Sequence, residues 1–197
     1  MQIIEYPFEY WRSGGALLIP LAFVCFGIWF YFLRTRRALL FETENARMIA
    51  DGLHRDDLNG LQQLKGVVAA LVKKVLLMDS QGGDAAQLFD DESGRFTDML
   101  KRDIVILAAL TAIAPLLGLM GTVAGMIQTF DAVAATSAET TAQVASGVSR
   151  ALITTQVGMV IAIPGVFGLA RLRRLSNHLQ VQLGAIKLHA VLLRDMK

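Results

Sequence analysis

Residues 104–130 read IVILAALTAIAPLLGLMGTVAGMIQTF, 27 positions without one charge. An α-helix rises about 1.5 Å per residue, so roughly 20 such residues cross the hydrocarbon core of a bilayer. This run is longer than that, and predicts a membrane span that tilts or projects beyond the core. Two more uncharged runs share the chain: ALLIPLAFVCFGIWFYFL at 16–33 and ALITTQVGMVIAIPGVFGLA at 151–170. Pro115 and Pro164 fall inside spans, where neighbouring helices can satisfy the freed backbone groups. Tyr10, Trp11, Trp29 and Tyr31 flank the first run, as aromatic residues do at a membrane interface. A cleaved leader is a poor reading of that run. Glu5 and Glu9 precede it against the single base Arg12, and FLRTRR follows it in place of a small-residue cleavage site. The expected architecture is all-α, with three transmembrane helices.

Charge then orients the chain. Of 19 Lys and Arg, 11 lie in segment 34–103 and 6 in the tail 171–197; the other two are Arg12 and Arg150. Basic residues collect on the cytoplasmic side. This predicts seven segments: an external N-terminus 1–15, spans 16–33, 104–130 and 151–170, a cytoplasmic helical insert 34–103, an external loop 131–150 and a cytoplasmic tail 171–197. In the insert, Leu58–Met78 has apolar residues at three- and four-residue spacing and predicts an amphipathic helix. SQGGD (Ser80–Asp84) breaks it, and a further helix after the acidic Asp90, Asp91 and Glu92 is expected to run into the second span. The basic tail is either an anchor at the membrane edge or a docking surface for a partner.

Only 18% of residues are charged and 54% are hydrophobic, against about a quarter charged in soluble domains. That balance excludes a disordered chain, a coiled-coil rod and a nucleic-acid binder, and argues against a water-soluble enzyme. Cys25 is the single cysteine, so no intrachain disulfide can form. His54, His178 and His189 stand outside the spans without ligand spacing. No catalytic residue, metal or cofactor is expected.

Every Asp, Glu, Lys, Arg and His lies outside the three runs. Proton carriers in membranes use an ionisable side chain, so a proton-handling role requires a partner that supplies one. The spans carry two other patterns. Ala114, Gly118, Gly121 and Gly125 share one helical face, as do Gly147, Ala151, Thr154, Gly158, Ala162 and Gly165. Small residues let helices approach closely in lipid, whether between the second and third spans of one chain or between copies in a ring. Thr111, Thr122 and Thr129 form a stripe on the second span, and Thr155 and Gln156 add polarity on the third. Such residues either line a narrow, weakly polar pore or bond carbonyls of their own helix.

APLLGLMGTVAGMIQTF (Ala114–Phe130) and SGVSRALITTQVGMVIAIPG (Ser146–Gly165) together resemble the paired signature of the MotA/TolQ/ExbB proton-channel family, and of its ExbB members above all. The resemblance implies a pentameric ring in the inner membrane of Gram-negative bacteria. The ring would enclose helices of an ExbD-like partner that brings an intramembrane aspartate. Proton flow would then drive a TonB-like protein that opens outer-membrane transporters for siderophores, haem or vitamin B12. Pore-lining threonines of the family match Thr122 and Thr155, and a polar spot there would stabilise the ionised partner aspartate. One position departs: many ExbB and TolQ proteins have Glu-Ala-Leu where this chain has Arg150, Ala151 and Leu152. Arg150 at the pore mouth either snorkels to headgroups or tunes access and partner contact. A TolQ-like role in Tol–Pal envelope maintenance and a non-conducting membrane scaffold are the alternatives; MotA proteins have a fourth span and a larger cytoplasmic part.

Overall fold

A computed structural model describes residues 17–54, 66–78, 85–135 and 140–195. All secondary structure among them is α-helical: α1 (Leu18–His54), α2 (Val67–Met78), α3 (Ala85–Ala135) and α4 (Thr140–Asp195). Three of these, α1, α3 and α4, are long and apolar enough to cross a membrane. α3 and α4 run through Pro115 and Pro164 without ending. Both also reach into the segment expected as an external loop, where 131–135 and 140–150 are helical. The cause lies in alanine-rich sequence without proline, DAVAA on one side and TTAQVASGVSR on the other. The amphipathic helix expected over 58–78 is described from Val67 onward; residues 58–65, the SQGGD break and the segment 1–15 lie outside the described residues.

The chain divides into two compact units, Met1–Tyr31 with Ile106–Gly168, and Phe32–Val105 with Leu169–Lys197. In the first unit the interior is made of small residues: Ala114, Ala151, Thr111 and Thr154 are buried. The large side chains point outward, with Phe23 and Phe167 each 74% exposed and Leu116, Leu152 and Val160 also open. Water would penalise that arrangement by the apolar area it exposes. In hydrocarbon it costs nothing, and helices associate through close packing of small residues instead.

The second unit has the opposite polarity. On α1 the buried residues Thr35, Leu39, Glu42, Ala46 and Ile49 recur at alternating steps of 4 and 3, and on α4 Leu172, Ser176, Leu179, Leu183 and Ile186 do the same. That spacing is the heptad seam of helices packing knobs into holes. Phe89, Phe96 and Leu100 of α3 and Val68, Leu71 and Val72 of α2 complete the core. Ion pairs decorate the exterior: Arg34 with Asp103, Lys74 with Glu92 and Lys187 with Asp90. Solvent and salt screen the exposed Lys74–Glu92 and Lys187–Asp90 pairs, so they add little to stability. The Lys74 ammonium bonds the Glu92 carboxylate and holds its pKa below the ordinary carboxylate value.

One buried acid has a structural task. The two oxygens of Glu42 accept hydrogen bonds from the amides of Val67 (2.9 Å) and Val68 (3.1 Å), the first turn of α2. Helix N-termini carry unsatisfied N–H groups and partial positive charge, and α2 has no acid in its own first turn. The cap comes from 25 residues away. Gly66, with φ of 142°, makes the approach possible: a Cβ there would lie 2.6 Å from Asn45 Nδ2. Glu42→Ala leaves two amides without that partner and is expected to cost about 1–3 kcal/mol. Hydrogen exchange at Val67 and Val68 should accelerate before exchange elsewhere in the unit; unchanged protection there would contradict the capping role.

Candidate functional site

Within the first unit, α3 and α4 meet along a seam of glycines. The contacts pair Thr111 with Gly165, Ala114 and Gly118 with Gly158, Gly121 with Thr154, Gly125 with Ala151, and Thr129 with Gly147. Numbers rise on α3 as they fall on α4, so the helices are antiparallel. A Cβ on Gly118 would lie 2.9 Å from the Thr154 carbonyl oxygen, and one on Gly158 would lie 2.7 Å from the Ala114 carbonyl oxygen. Backbone faces backbone at both positions, which leaves room for hydrogen alone. Ala162 is buried in the same unit.

The seam is also where hydroxyls collect. Thr154 Oγ1 donates to the Ala151 carbonyl at 2.8 Å and to the Gly118 carbonyl at 3.2 Å, and Thr155 Oγ1 donates to the same Gly118 carbonyl at 3.2 Å. Consecutive residues of a helix point about 100° apart, so both threonines reach one oxygen only because α3 passes very close, at a residue with no side chain to shield its carbonyl. One turn along α3, Thr122 Oγ1 donates to the Leu119 carbonyl at 2.8 Å. Thr122 and Thr155 are half-buried and Gln156 is exposed, so these three retain an open side.

Thr111 and Thr129 face the α3–α4 seam. Each is buried, faces a glycine of α4, and donates to its own i−4 carbonyl, Leu107 at 2.8 Å and Gly125 at 2.7 Å. They fill the notches left by Gly165 and Gly147. Arg150 belongs to α4, and its side chain lies outside the described residues. The residue that sequence reading missed as a polar group is Gly118: its carbonyl ties α3 to α4 twice. The paired Thr154 and Thr155 opposite a glycine are the one signal for it.

Hydrogen-bond direction determines what the site offers. A carbonyl has no proton, so every threonine hydroxyl here is the donor and presents only lone pairs outward. In this arrangement the site accepts hydrogen bonds. The threonine lone pairs suit a protonated carboxyl or a water, and the side-chain amide of Gln156 adds N–H donors beside them. Among the described residues no cluster of His, Cys, Asp or Glu could hold a metal.

Three apolar helices, a close-packed antiparallel pair and a patch of hydroxyls with no ionisable group define a multi-pass membrane protein whose polar site lacks a proton carrier of its own. Comparison with known proteins gives that class a family. Residues 60–184, more than half of the chain, match the MotA/TolQ/ExbB proton channel family. The chain belongs to that family. It is 38% identical over 97 residues to the biopolymer transport protein exbB1 of Vibrio cholerae, covering 43% of this chain and 42% of that protein. It is 27% identical over 178 residues to the biopolymer transport protein ExbB of Salmonella typhimurium, covering 81% and 73%. The Tol-Pal system protein TolQ of Haemophilus influenzae is 33% identical over 90 residues, covering 46% and 40%. The matched stretch is thus under half of the Vibrio and Haemophilus proteins, and over two thirds of the Salmonella one.

Proposed function

We propose that this chain is the ring-forming subunit of an ExbB-like motor in the inner membrane, with segment 34–103 and the tail in the cytoplasm. An ExbD-like partner inside the ring supplies the aspartate, and the output is mechanical work on a TonB-like protein. The observation that carries this reading is the hydroxyl patch around the Gly118 carbonyl, set in spans that contain no group able to take up a proton. Threonine hydroxyls whose protons are committed to backbone carbonyls present lone pairs to an acid that arrives protonated.

The mechanism follows from the donors. An ionised aspartate against an apolar wall is costly, and protonation removes most of that cost. The protonated acid donates to the lone pairs of Thr122 or Thr155. To release its proton there, a hydroxyl must turn from its carbonyl to the new carboxylate, exchanging a neutral bond for a charge-assisted one. The patch thereby couples proton release to a side-chain rotation. One charge crossing 100 mV is worth about 2.3 kcal/mol, so a few protons supply on the order of 10 kcal/mol to a mechanical step.

A TolQ-like output is the second reading, favoured by the alignment to the Haemophilus protein. Deleting the gene separates the two. Loss of growth on siderophore-bound iron with an intact envelope is the expected result. Detergent sensitivity and periplasmic leakage with normal uptake would instead assign the chain to envelope maintenance.

A further inference from the structure

We propose that the second unit carries a specific binding site for an anionic phospholipid headgroup, in the groove between α1 and α4. The groove encloses about 260 Å³ and is lined on α1 by Phe32, Arg36 and Leu40, at steps of four, and on α4 by residues from Arg171 to His178. Residues so spaced lie on one face of each helix. The lining has two chemistries. Phe32, Leu40 and Leu175 make an apolar floor, while Arg36, Arg171, Arg174 and His178 bring polar and cationic heads to the same space.

Two observations raise this above the usual excess of bases beside a span. First, among the described residues no carboxylate pairs with the guanidinium groups of the groove. Arg34 pairs with Asp103 and Lys101 with Asp98, but among the described residues Arg36, Arg171 and Arg174 make no ion pair with a carboxylate. Three unpaired guanidinium groups around one cavity repel one another, and an anion there relieves that repulsion. Arg matches phosphate geometry through paired N–H donors. Second, the groove begins at Phe32, one residue inside the end of the first uncharged run, and at Arg171, the first residue past the third. It extends about 12 Å along α1 at 1.5 Å per residue, which carries it from the edge of the hydrocarbon core through the headgroup layer. A free phosphate or nucleotide would use the arginines and leave the apolar floor wet. A phospholipid puts phosphate on the arginines and its glycerol and first methylenes on Phe32 and Leu175. The site rests on α1 and α4 crossing the membrane and not on proton conduction, so its test reads binding alone.

The full-length chain, purified in neutral detergent, is offered equal phosphatidylglycerol and phosphatidylcholine of identical chain length, and retained lipid per chain is read by native mass spectrometry. Preferential retention of phosphatidylglycerol is expected. Arg171→Gln with Arg174→Gln should cut it about tenfold or more, the effect of losing charge-assisted hydrogen bonds. Lys101→Gln with Arg102→Gln removes two bases from the border of the second span, outside the groove, and should leave retention unchanged. Equal losses in both variants would reduce the site to diffuse charge and overturn the proposal, as would equal retention of the two lipids. Displacement of the lipid by millimolar inorganic phosphate would assign the groove to a free anion and overturn it too. An acidic peptide that binds the groove while phosphatidylglycerol does not would do the same. Arg36→Gln, a single change at an exposed position, gives the same reading should the double variant fail to fold: retention falls if the site exists and holds if it does not.

Discussion

Thr122→Val combined with Thr155→Val should abolish partner-dependent proton flux while the chain still folds and assembles. Valine keeps the β-branched shape of threonine, so the packing of α3 on α4 survives. The folding cost is limited to hydrogen bonds: Thr155 to the Gly118 carbonyl and Thr122 to the Leu119 carbonyl. In membranes such bonds average only about 0.6 kcal/mol, and Thr154 still reaches Gly118. For a visiting acid the loss is larger. With both open hydroxyls gone, a carboxyl keeps only the Gln156 amide as a polar neighbour, and each hydrogen bond it loses costs about 1–3 kcal/mol protonated and more ionised. A fall in flux of about thirtyfold or more is expected when the two losses combine. Thr111→Val with Thr129→Val is the matched control, because those hydroxyls sit in the seam on their own i−4 carbonyls. It should retain flux. Flux lost in the control and kept in the first variant would mean that the lumen lies on the other face.

The second large effect concerns glycine. Gly158→Leu should prevent the helix pair from forming, because even its first carbon would lie 2.7 Å from the Ala114 carbonyl oxygen. Backbone cannot swing aside as a side chain can, so the helices must separate along the whole seam. Gly158→Ala, the mildest version, is expected to lose about 1–3 kcal/mol from overpacking. Gly184→Ala, in the same helix but with no atom within 4 Å of the new carbon, should gain about 0.5–1 kcal/mol from helix propensity. Detergent-induced unfolding of the three variants measures the contrast. A Gly158→Ala chain as stable as the Gly184→Ala chain would disprove the close seam.

The three long apolar helices were legible because hydrocarbon imposes one rule, the absence of charge over about 20 residues, and that rule acts on each segment alone. The small faces were visible for a related reason: glycine and alanine at steps of 4 and 3 mark one side of a helix whatever it meets. The partner of that face was not visible. Thr111, Thr122 and Thr129 lie within about 20° of one helical face, and only the pairing of Thr111 with Gly165 and of Thr129 with Gly147 shows that two of them point into the seam. The direction of each hydroxyl is likewise a tertiary fact, set by which carbonyl lies within reach. Glu42 looked like one acid among 12 in the insert; its role as a cap depends on α2 arriving 25 residues later. The groove beside Arg36 and Arg171 joins segments 135 positions apart in sequence, so residue counts revealed bases near two spans and nothing of their meeting.

The central claim is that this chain holds a site for a protonated acid and no acid of its own. Vesicles containing the purified chain alone, energised by a potassium-diffusion potential, test it most directly against vesicles that also contain an ExbD-like partner with its membrane aspartate. The account predicts no proton flux above the lipid background from the chain alone and flux once the partner is present. Sustained voltage-driven flux through the chain by itself would contradict it, and silence in both preparations would leave a scaffold in place of a conductor.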